Sequence, residues 1–322
     1  MLSEREIGEA VAVLRSGGLV AFPTETVYGL GCDAQSPDAL RRLFAVKGRP
    51  AHHPVIVHLP SADALPAWAK TLSAAASELA NACWPGPLTI VVSRAAHVPD
   101  GVTGGRASVA LRVPDQRVAL ALLQAFGGGL AAPSANRFGR VSPTTAADVR
   151  ADLGGDVDLV LDDGPCVVGV ESTIIDCTSA EPVILRLGAL PREELEALLG
   201  QPIALQIDGQ RASPGALPVH YAPNARVVLV ERSDVTTQTA SRIATGERVG
   251  LLALDPPGGL SMDVVLLEPP TSVEDYAHVL YARLREADHR GLDVLFAVAP
   301  PNRGLGAAIG DRLRRAAGGR VS

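Results

Sequence analysis

Short apolar runs alternate with amphipathic segments along most of the chain, a pattern that predicts a sheet of strands covered by helices. In the first 200 residues, runs typical of buried strands occur at 19–22, 55–59, 88–92, 109–113, 130–132, 159–161 and 173–176. Helical spacing of apolar residues occurs at 3–16, 36–47, 62–83, 118–126 and 144–153. Ser3 and Glu6 have the spacing of a capping box for the first helix. We therefore expect an α/β fold built on a mixed sheet.

The composition and hydrophobic pattern of the chain change after residue 200. The segment 200–224 has four prolines, three glycines and little helical periodicity, so we interpret it as a linker or lid. Beyond it, Val- and Leu-rich runs typical of parallel strands recur at 226–230, 249–254, 264–267 and 294–298. Helices are expected around 276–287 and over 309–317. The sequence thus predicts a domain over 1–200, a linker over 201–224 and a smaller, Rossmann-like α/β domain over 225–322.

The charge balance restricts the partners of the protein. The 322 residues carry 29 basic and 35 acidic side chains, for a net charge of −6. Lysine occurs only at Lys47 and Lys70, whereas non-specific binding to nucleic-acid backbones depends on clustered Lys and Arg. We therefore expect no stable nucleic-acid complex.

Cysteine spacing and the N-terminal sequence bear on metal binding and on the cellular compartment. Four cysteines lack the paired spacing of a zinc site: Cys32, Cys83, Cys166 and Cys177. We expect them to be reduced, and we expect no metal site made by the protein alone. The N-terminus has no apolar signal core. The uncharged stretch 118–136 contains Pro133 and fits a helix, a turn and a strand better than a membrane span. These features favour a cytoplasmic protein that does not enter the membrane.

Common nucleotide and hydrolase motifs are missing from the sequence. It has no P-loop, no HExxH and no GxSxG. Gly304-Leu305-Gly306 looks like half of a dinucleotide-binding fingerprint. The third glycine of that fingerprint is misplaced and no suitable acid follows, so we discount it.

Polar residues instead cluster next to the predicted strands of the first domain, in the segments 23–31, 47–50, 108–114, 132–136, 142–144, 171–173 and 185–188. The carboxyl ends of strands are where open α/β sheets bind ligands. Arg112 is the clearest signal, because an arginine inside an apolar run usually pairs with an anion.

Some of these residues also have a purely structural explanation. Lys47 and Arg49 lie near a helix C-terminus, where positive charge suits the helix dipole. From these residues alone, that explanation and a ligand-binding role both stay open. Ser142 could cap the helix that follows it. His58 lies on an apolar strand and is explained by a hydrogen-bonded core position. The acids between 148 and 163 fit a solvated face better than a metal site.

Taken together, six ordered motifs resemble the threonylcarbamoyl-AMP synthases of the YrdC-like type. They are PTETVYGLG (23–31), KGRP (47–50), CWPGPLT (83–89), the strand with Arg112, APSAN (132–136), and ESTIID with LRLG (171–188). The long form of that family has a linker ending in HYAP, which matches 220–223 here, and a C-terminal α/β domain. The resemblance implies a YrdC-like twisted mixed sheet with helices, followed by the smaller Rossmann-like domain.

The resemblance also implies a reaction. A nucleotidyltransferase of this family joins L-threonine, bicarbonate or CO2, and ATP to give threonylcarbamoyl-AMP and pyrophosphate, with Mg²⁺ accompanying ATP as a cofactor. The product serves a downstream threonylcarbamoyltransferase, which completes the threonylcarbamoyladenosine modification of tRNA.

The family's functional residues carry over onto matching positions of this chain. Lys47 and Arg49 are expected to be the catalytic phosphate clamps. The other expected ATP contacts are Ser108, Asn136, Ser142, Arg186, His220 and Tyr221. The expected L-threonine contacts are Thr24, His58, Arg112, Ala132, Ser134 and Ser172. The linker is expected to act as a lid over the nucleotide, although residues 216–219 lack the basic and aromatic side chains that the family often places there.

Two other functions compete with this interpretation. One is an RNA-binding module, against which the net charge of −6 argues. The other is the YrdC-like carbamoyltransferase domain of hydrogenase maturation. That protein also carries acylphosphatase and zinc-finger segments with paired cysteines, neither of which occurs here.

Overall fold

The computed structural model describes residues 2–206 and 221–318, which form two compact units. The first unit contains the described residues up to 206 except 139–141. The second unit contains 221–318 together with 139–141. The predictions made for His220 and for most of the linker fall outside the described residues.

The first unit is a mixed sheet with helices, as expected. Its helices are α1 (Glu4–Arg15), α2 (Pro37–Lys47), α3 (Leu65–Trp68), α4 (Ala74–Cys83), α5 (Asp100–Thr103), α6 (Arg117–Phe126), α7 (Ala146–Leu153) and α8 (Arg192–Leu199). Its strands are β1 (Val20–Phe22), β2 (Gly29–Asp33), β3 (Ile56–His58), β4 (Ala69–Thr71), β5 (Leu88–Arg94), β6 (Ser108–Arg112), β7 (Leu130–Ala131), β8 (Leu159–Val160), β9 (Thr173–Asp176), β10 (Val183–Arg186) and β11 (Ala204–Leu205).

The strand order of this sheet is β11-β10-β9-β5-β6-β3-β7-β2-β1-β8, with β4 also paired to β5. β3 lies between the parallel β6 and the antiparallel β7. The register of β3 places His58 beside Arg112 on one neighbour and Leu130 on the other. The sheet therefore brings the ends of strands that are far apart in sequence to one region.

Local sequence signals account for the first helices. Ser3 accepts a hydrogen bond from the backbone of Glu6, and Glu6 accepts one from the backbone of Ser3, which completes the predicted capping box. The buried face of α1, including Leu14, packs with α6, including Leu122, in one hydrophobic cluster. Each such leucine contributes about 1.5–3 kcal/mol of transfer free energy when it is fully buried.

The prediction of one long helix over 62–83 was wrong. α3 ends at Trp68, β4 pairs with β5, and α4 begins after Ser73. The Ser73 hydroxyl accepts a hydrogen bond from the backbone N–H of Ala76 at 3.2 Å and so caps the new helix. Strand pairing and this cap outweigh the helix propensity of an Ala-rich segment, which is only a weak preference.

The end of the first unit extends beyond the predicted domain boundary. β11 pairs in parallel with β10, although residue 201 was expected to begin the linker. α8 and β10 precede it and were not predicted as elements.

The second unit has the parallel α/β arrangement expected from its Val- and Leu-rich runs. Its strands are β12 (Arg226–Leu229), β13 (Val249–Leu252), β14 (Val265–Leu266) and β15 (Val294–Ala297). Its helices are α9 (Val235–Ala244), α10 (Val273–His289) and α11 (Leu305–Ala316), of which α9 was not predicted. The strand order is β12-β15-β13-β14, and every pair is parallel. β15 comes last in sequence and lies between β12 and β13.

All four cysteines are free thiols, and all except the half-buried Cys83 are buried. Burial raises the pKa of both Cys166 and Cys177 to about 12, so these side chains stay protonated at neutral pH. Within 2–206 and 221–318, no helix has both the length and the apolar character that a membrane crossing requires.

Candidate active site

The 23–28 loop, which connects β1 to β2, forms the centre of the candidate site. The Thr24 hydroxyl lies 2.8 Å from the Thr26 hydroxyl and donates to the carbonyl oxygen of Val27 at 2.6 Å. It also accepts hydrogen bonds of 3.2 Å from the backbone N–H groups of Thr26 and Val27. A short polar side chain that bonds the backbone just after it stabilises a turn. These contacts hold two hydroxyl groups in fixed, buried positions.

Arg112, the last residue of β6, directs its guanidinium at this loop. Nη2 donates to Thr26 Oγ1 at 2.8 Å, and Nε donates to the carbonyl oxygen of Gly86 at 3.3 Å. Nη2 also lies 2.8 Å from Glu25 Oε1, in an ion pair whose side chains are 4% and 5% exposed. Sequence reasoning missed Glu25 as a site residue. The available signal was one acid between two threonines, next to a buried strand.

Lys47, the last residue of α2, is buried among backbone carbonyl groups. Nζ donates to the carbonyl oxygens of Ser134 and Asn136, each at 2.5 Å. Burial, together with the positive charges of Arg49 and Arg137, lowers the pKa of Lys47 well below its usual range. An ammonium group has three donors, so one remains for a ligand. An anion at this point would restore the charged form.

Lys47 and Arg112 contact two backbone segments that are hydrogen-bonded to each other. Two backbone hydrogen bonds of 2.8 Å, and a bridge between Gly29 and Ser134, join the 132–136 segment to the end of the 23–28 loop and the start of β2. Lys47 binds that segment, and Arg112 binds the loop. The contacts of Lys47 and Arg112 therefore belong to one hydrogen-bonded framework that includes Ser134.

Ser172 and Arg186 form a second part of the cluster, where β9 and β10 meet. Arg186 Nη2 donates to the carbonyl oxygen of Ser172 at 2.8 Å and to its hydroxyl at 3.0 Å. That hydroxyl also lies 2.8 Å from the hydroxyl of Thr89. A Cβ on Gly188 would lie 2.3 Å from the backbone of Ser172, so only glycine allows this close approach.

Ser142 belongs to the site region rather than to a helix cap. Its hydroxyl donates to Glu171 Oε1 at 2.7 Å, and both side chains are buried. α7 is capped instead by Thr145, in a capping box with Asp148. Glu171 was a second acid that sequence reasoning did not select. It immediately precedes Ser172 in a motif already chosen for its hydroxyl groups.

Arg49 follows α2 and is buried close to Lys47. Its Nη2 donates to the carbonyl oxygen of Pro54 at 2.7 Å. Its guanidinium carbon lies 5.7 Å from the centre of the Phe138 ring. The backbone N–H of Phe138 donates to the carbonyl oxygen of Lys47 at 2.8 Å. Arg49 therefore adds a second cation to the cluster, beside Lys47.

His58 is a buried, uncharged neighbour of Arg112. Its ring meets the Phe22 ring edge-on, with centroids 6.1 Å apart. Burial and the positive charge of Arg112 lower the pKa of His58 well below its usual range. The imidazole is therefore neutral at physiological pH and can contribute a polar contact without adding charge.

Ala132 and Ser108 occupy different positions relative to the cluster. The backbone N–H of Ala132 donates to the carbonyl oxygen of Ile56 at 3.0 Å, which places Ala132 beside β3. Ser108 begins β6, whereas Arg112 ends it. At about 3.3 Å per strand residue, the two are roughly 13 Å apart. The described contacts do not bring Ser108 to the rest of the cluster.

Tyr221, the first residue after the undescribed linker, packs within the second unit. Its side chain is 1% exposed, and its ring stacks on Tyr281 with centroids 5.6 Å apart. The guanidinium of Arg312 lies over the same ring, 5.1 Å from its centre. Tyr221 itself has a φ of 62°, which is uncommon for a residue other than glycine. The prediction for the adjacent His220 lies outside the described residues.

The described residues contain no cluster of three or more histidine, cysteine or acidic side chains suited to hold a metal ion. The acids at the site are instead engaged, Glu25 with Arg112 and Glu171 with Ser142. What the site offers a ligand is a set of cations and hydroxyl groups, which suits an anionic substrate.

Two family models cover nearly the whole chain. Residues 12–188 match the Sua5, YciO and YrdC model, described as "Telomere recombination". Residues 190–318 match the model described as "Threonylcarbamoyl-AMP synthase, C-terminal domain".

Similar proteins carry related names. A threonylcarbamoyl-AMP synthase of Pyrococcus abyssi is 41% identical over 99% of this chain and 96% of its own length. One of Bacillus subtilis is 39% identical over 99% of this chain and 95% of its own length. The crystal structure of P. abyssi Sua5 complexed with L-threonine superposes with a TM-score of 0.93 at 40% identity, covering 100% of this chain and 96% of that one. A shorter relative, from Halorhodospira halophila, is 41% identical over 48% of this chain and 81% of its own length.

Proposed function

The chain belongs to the threonylcarbamoyl-AMP synthase family, and we propose that it forms threonylcarbamoyl-AMP at the cluster around the 23–28 loop. The substrates are L-threonine, bicarbonate or CO2, and ATP, and the second product is pyrophosphate. The observation that carries this assignment to particular residues is the single backbone framework on which Lys47 and Arg112 converge.

The chemistry needs positioning more than it needs a protein nucleophile. The amine of L-threonine takes up bicarbonate with loss of water, and a carbamate results. A carbamate oxygen then attacks the α-phosphorus of ATP, and the bond to the β-phosphate oxygen breaks, which releases pyrophosphate. The protein accelerates such a step by aligning the reactants and by stabilising negative charge on the phosphates.

Lys47 and Arg49 are suited to bind the phosphate groups. Two donors of Lys47 are fixed by the carbonyl oxygens of Ser134 and Asn136, so its remaining N–H has a defined direction. Arg49 is held by Pro54. We assign the nucleotide contacts to this side, together with Asn136, Ser142 and Arg186.

Arg112 and the buried hydroxyl groups are suited to bind L-threonine. Nη1 of Arg112 makes none of the described hydrogen bonds, so its N–H groups are available to the carboxylate of the amino acid. We assign the amine and hydroxyl of threonine to Thr24, Ser134 and Ser172, with the neutral His58 beside them.

Mg²⁺ is proposed to enter with ATP, as part of the substrate. Mg²⁺ in nucleotide sites is commonly held by phosphate oxygens, waters and only one or two carboxylates, so it needs no larger acidic cluster. The described residues are compatible with that arrangement, since Glu25 and Glu171 are the buried acids of the site. When bound, Mg²⁺ neutralises charge on the phosphates.

The proposal extends to the fate of the product. We propose that the linker closes over the nucleotide and excludes water from the reactive adenylate. The product then passes to a threonylcarbamoyltransferase that modifies tRNA, which places the protein in the cytoplasm.

Threonine-dependent release of pyrophosphate tests the function directly. With ATP, bicarbonate, Mg²⁺ and L-threonine, the purified chain should release pyrophosphate, and omission of threonine should reduce release to background. Lys47→Met should lower the rate at least about a hundredfold, since it removes a charge-bearing contact to phosphate. Lys70→Met is the matched control, because Lys70 is the other lysine of the chain and is exposed on β4. Pyrophosphate release that does not depend on threonine would contradict the assignment.

A further inference from the structure

A cleft of about 530 Å³ lies in the second unit, at the carboxyl ends of three of its strands. It is formed by the residues after β12 (231–232), after β13 (254–255) and after β15 (298–302), and by one face of α11. The volume falls within the range of small-molecule sites, about 300–1,000 Å³. The carboxyl edge is also where parallel α/β sheets bind ligands. None of the residues assigned above to the synthase reaction lines this cleft.

Two opposite charges in the cleft have no partner among the described residues. Arg232 pairs with Asp255 at 3.0 Å, so these two lining residues satisfy each other. Glu231 and Arg314 also line the cleft, and the described contacts give neither of them an ion pair or a side-chain hydrogen bond. The cleft therefore offers one carboxylate acceptor and one guanidinium donor to a ligand.

α11 presents bare backbone to the cleft. Gly306 and Gly310 line it, and Arg314 follows one turn later on the same face. A Cβ on Gly306 would lie 2.1 Å from the carbonyl oxygen of Pro301, so glycine is needed there for packing. A Cβ on Gly310 would meet only the guanidinium of Arg314, with the nearest atom at 3.4 Å. Packing therefore does not require glycine at position 310, and the space that a side chain would fill there lies against the guanidinium of Arg314.

We propose that this cleft binds a nucleoside monophosphate, as a second nucleotide site distinct from the synthase site. Arg314 holds the phosphate, for which a guanidinium has matching donors. Glu231, which follows β12, accepts hydrogen bonds from ribose hydroxyls, the role that an acid after a strand has in nucleotide-binding sheets. The apolar side chains of Leu254, Val298 and Pro300 form a surface for the base.

AMP is the probe for this site, and hydrogen–deuterium exchange locates its binding. On the full chain, AMP should slow exchange in 298–302 and in α11. Arg314→Ala should weaken AMP binding about tenfold or more while leaving adenosine binding unchanged. Glu231→Gln should weaken AMP and adenosine alike but leave inorganic phosphate unaffected. Arg303→Ala is the matched control, because Arg303 is exposed in the same loop and does not line the cleft.

A cleft-filling variant gives an independent test. Gly310→Leu should abolish the AMP-dependent protection of α11 while retaining threonine-dependent pyrophosphate release, so the outcome does not depend on the synthase assignment. If Gly310→Leu fails to fold, Arg314→Ala decides alone. The proposal is overturned if AMP gives no protection in α11, if Gly310→Leu leaves that protection intact, or if Arg314→Ala and Arg303→Ala behave alike.

Discussion

Arg112 shows how a buried charge can be satisfied by the protein and still serve a ligand. Its sequence context requires an anionic partner, and the structure supplies Glu25 at 2.8 Å. Only Nε and Nη2 are used in the described contacts. Because hydrogen bonds to Gly86 and Thr26 fix the guanidinium plane, Nη1 has one orientation, which favours a carboxylate placed in that plane.

Replacing Arg112 with lysine should therefore raise the KM for L-threonine about tenfold or more, with a smaller effect on the KM for ATP. Lysine keeps the charge but loses the planar fork that can bind Glu25, Thr26 and a carboxylate at once. Steady-state kinetics with each substrate varied in turn measures the change.

Arg94→Lys is the control for this substitution, because Arg94 ends the neighbouring strand β5 and pairs with Asp100 at 2.6 Å. An equal rise in both KM values, or an equal effect of Arg94→Lys, would exclude a specific role of Arg112 in threonine binding.

The lowered pKa of Lys47 predicts that this side chain takes up a proton when a nucleotide binds. Its pKa is lowered well below the usual lysine range by burial and by Arg49 and Arg137, against a smaller opposing effect of Asp152. Phosphate oxygens beside Nζ would raise that pKa again. At any pH between the two values the free protein lacks the proton and the complex holds it, so ATP binding should be accompanied by proton uptake.

Isothermal titration of ATP at several pH values below the ordinary lysine pKa, in buffers of different ionisation enthalpy, measures this uptake. Lys47→Met should abolish the buffer dependence that Lys47 causes, whereas Lys70→Met should leave it unchanged. Proton release, or uptake that persists in Lys47→Met, would contradict the pKa argument.

At the scale of elements, the helices with explicit caps could be predicted closely. α2 begins at Pro37 after Ser36 and ends before Gly48, whose φ of 63° closes the helix. The helix predicted over 62–83 failed because the pairing of β4 with β5 is a long-range contact, which local alanine propensity does not register.

The candidate site could be predicted only in part, because its contacts too are made between residues far apart in sequence. Arg112 is visible as a charge inside an apolar run, and Lys47 was selected through the resemblance of KGRP to the family motif. Glu25 and Glu171 were missed because each contacts a partner distant in sequence: Glu25 pairs with the Arg112 cation, and Glu171 accepts a hydrogen bond from Ser142. Tyr221 lies in a sequence motif expected to reach the nucleotide, yet its ring packs on Tyr281. Only the tertiary structure shows these partners.

Tyr221 should accordingly act as an anchor for the segment that leads into β12. Tyr221→Ala removes a buried ring that packs on both Tyr281 and Arg312, and such truncations cost about 3–5 kcal/mol. We expect hydrogen exchange in α10 and α11 to accelerate at least about a hundredfold. Tyr221→Phe keeps the ring and should change exchange little. If both variants exchange like the wild type, the ring does not stabilise this unit.

At the scale of the molecule, the residues of the described cluster all belong to the first unit. The H. halophila relative matches 48% of this chain over 81% of its own length, so proteins of this name exist with little beyond such a unit. A chain ending at residue 206 should therefore fold and bind L-threonine with an affinity within about threefold of the full chain. We expect its pyrophosphate release to fall at least tenfold, since the proposed lid is missing.

Calorimetric binding of threonine and a pyrophosphate assay on the same preparation measure both effects. Loss of threonine binding by a folded truncated chain would show that the described cluster is insufficient. Unchanged pyrophosphate release would show that the linker and the second unit have no role in the reaction.

The position of β15 has a consequence for synthesis on the ribosome. Among the described strands, β12 and β13 do not pair with each other and are joined only through β15, which ends at Ala297. Nascent domains fold in the order in which they emerge, N-terminal ones first. The sheet of the first unit can thus assemble during translation, whereas the sheet of the second unit cannot form until β15 has been synthesised. A premature stop codon even shortly before position 294 would remove β15, the strand that links β12 to the rest of the second sheet, and would leave β12 without its described neighbour.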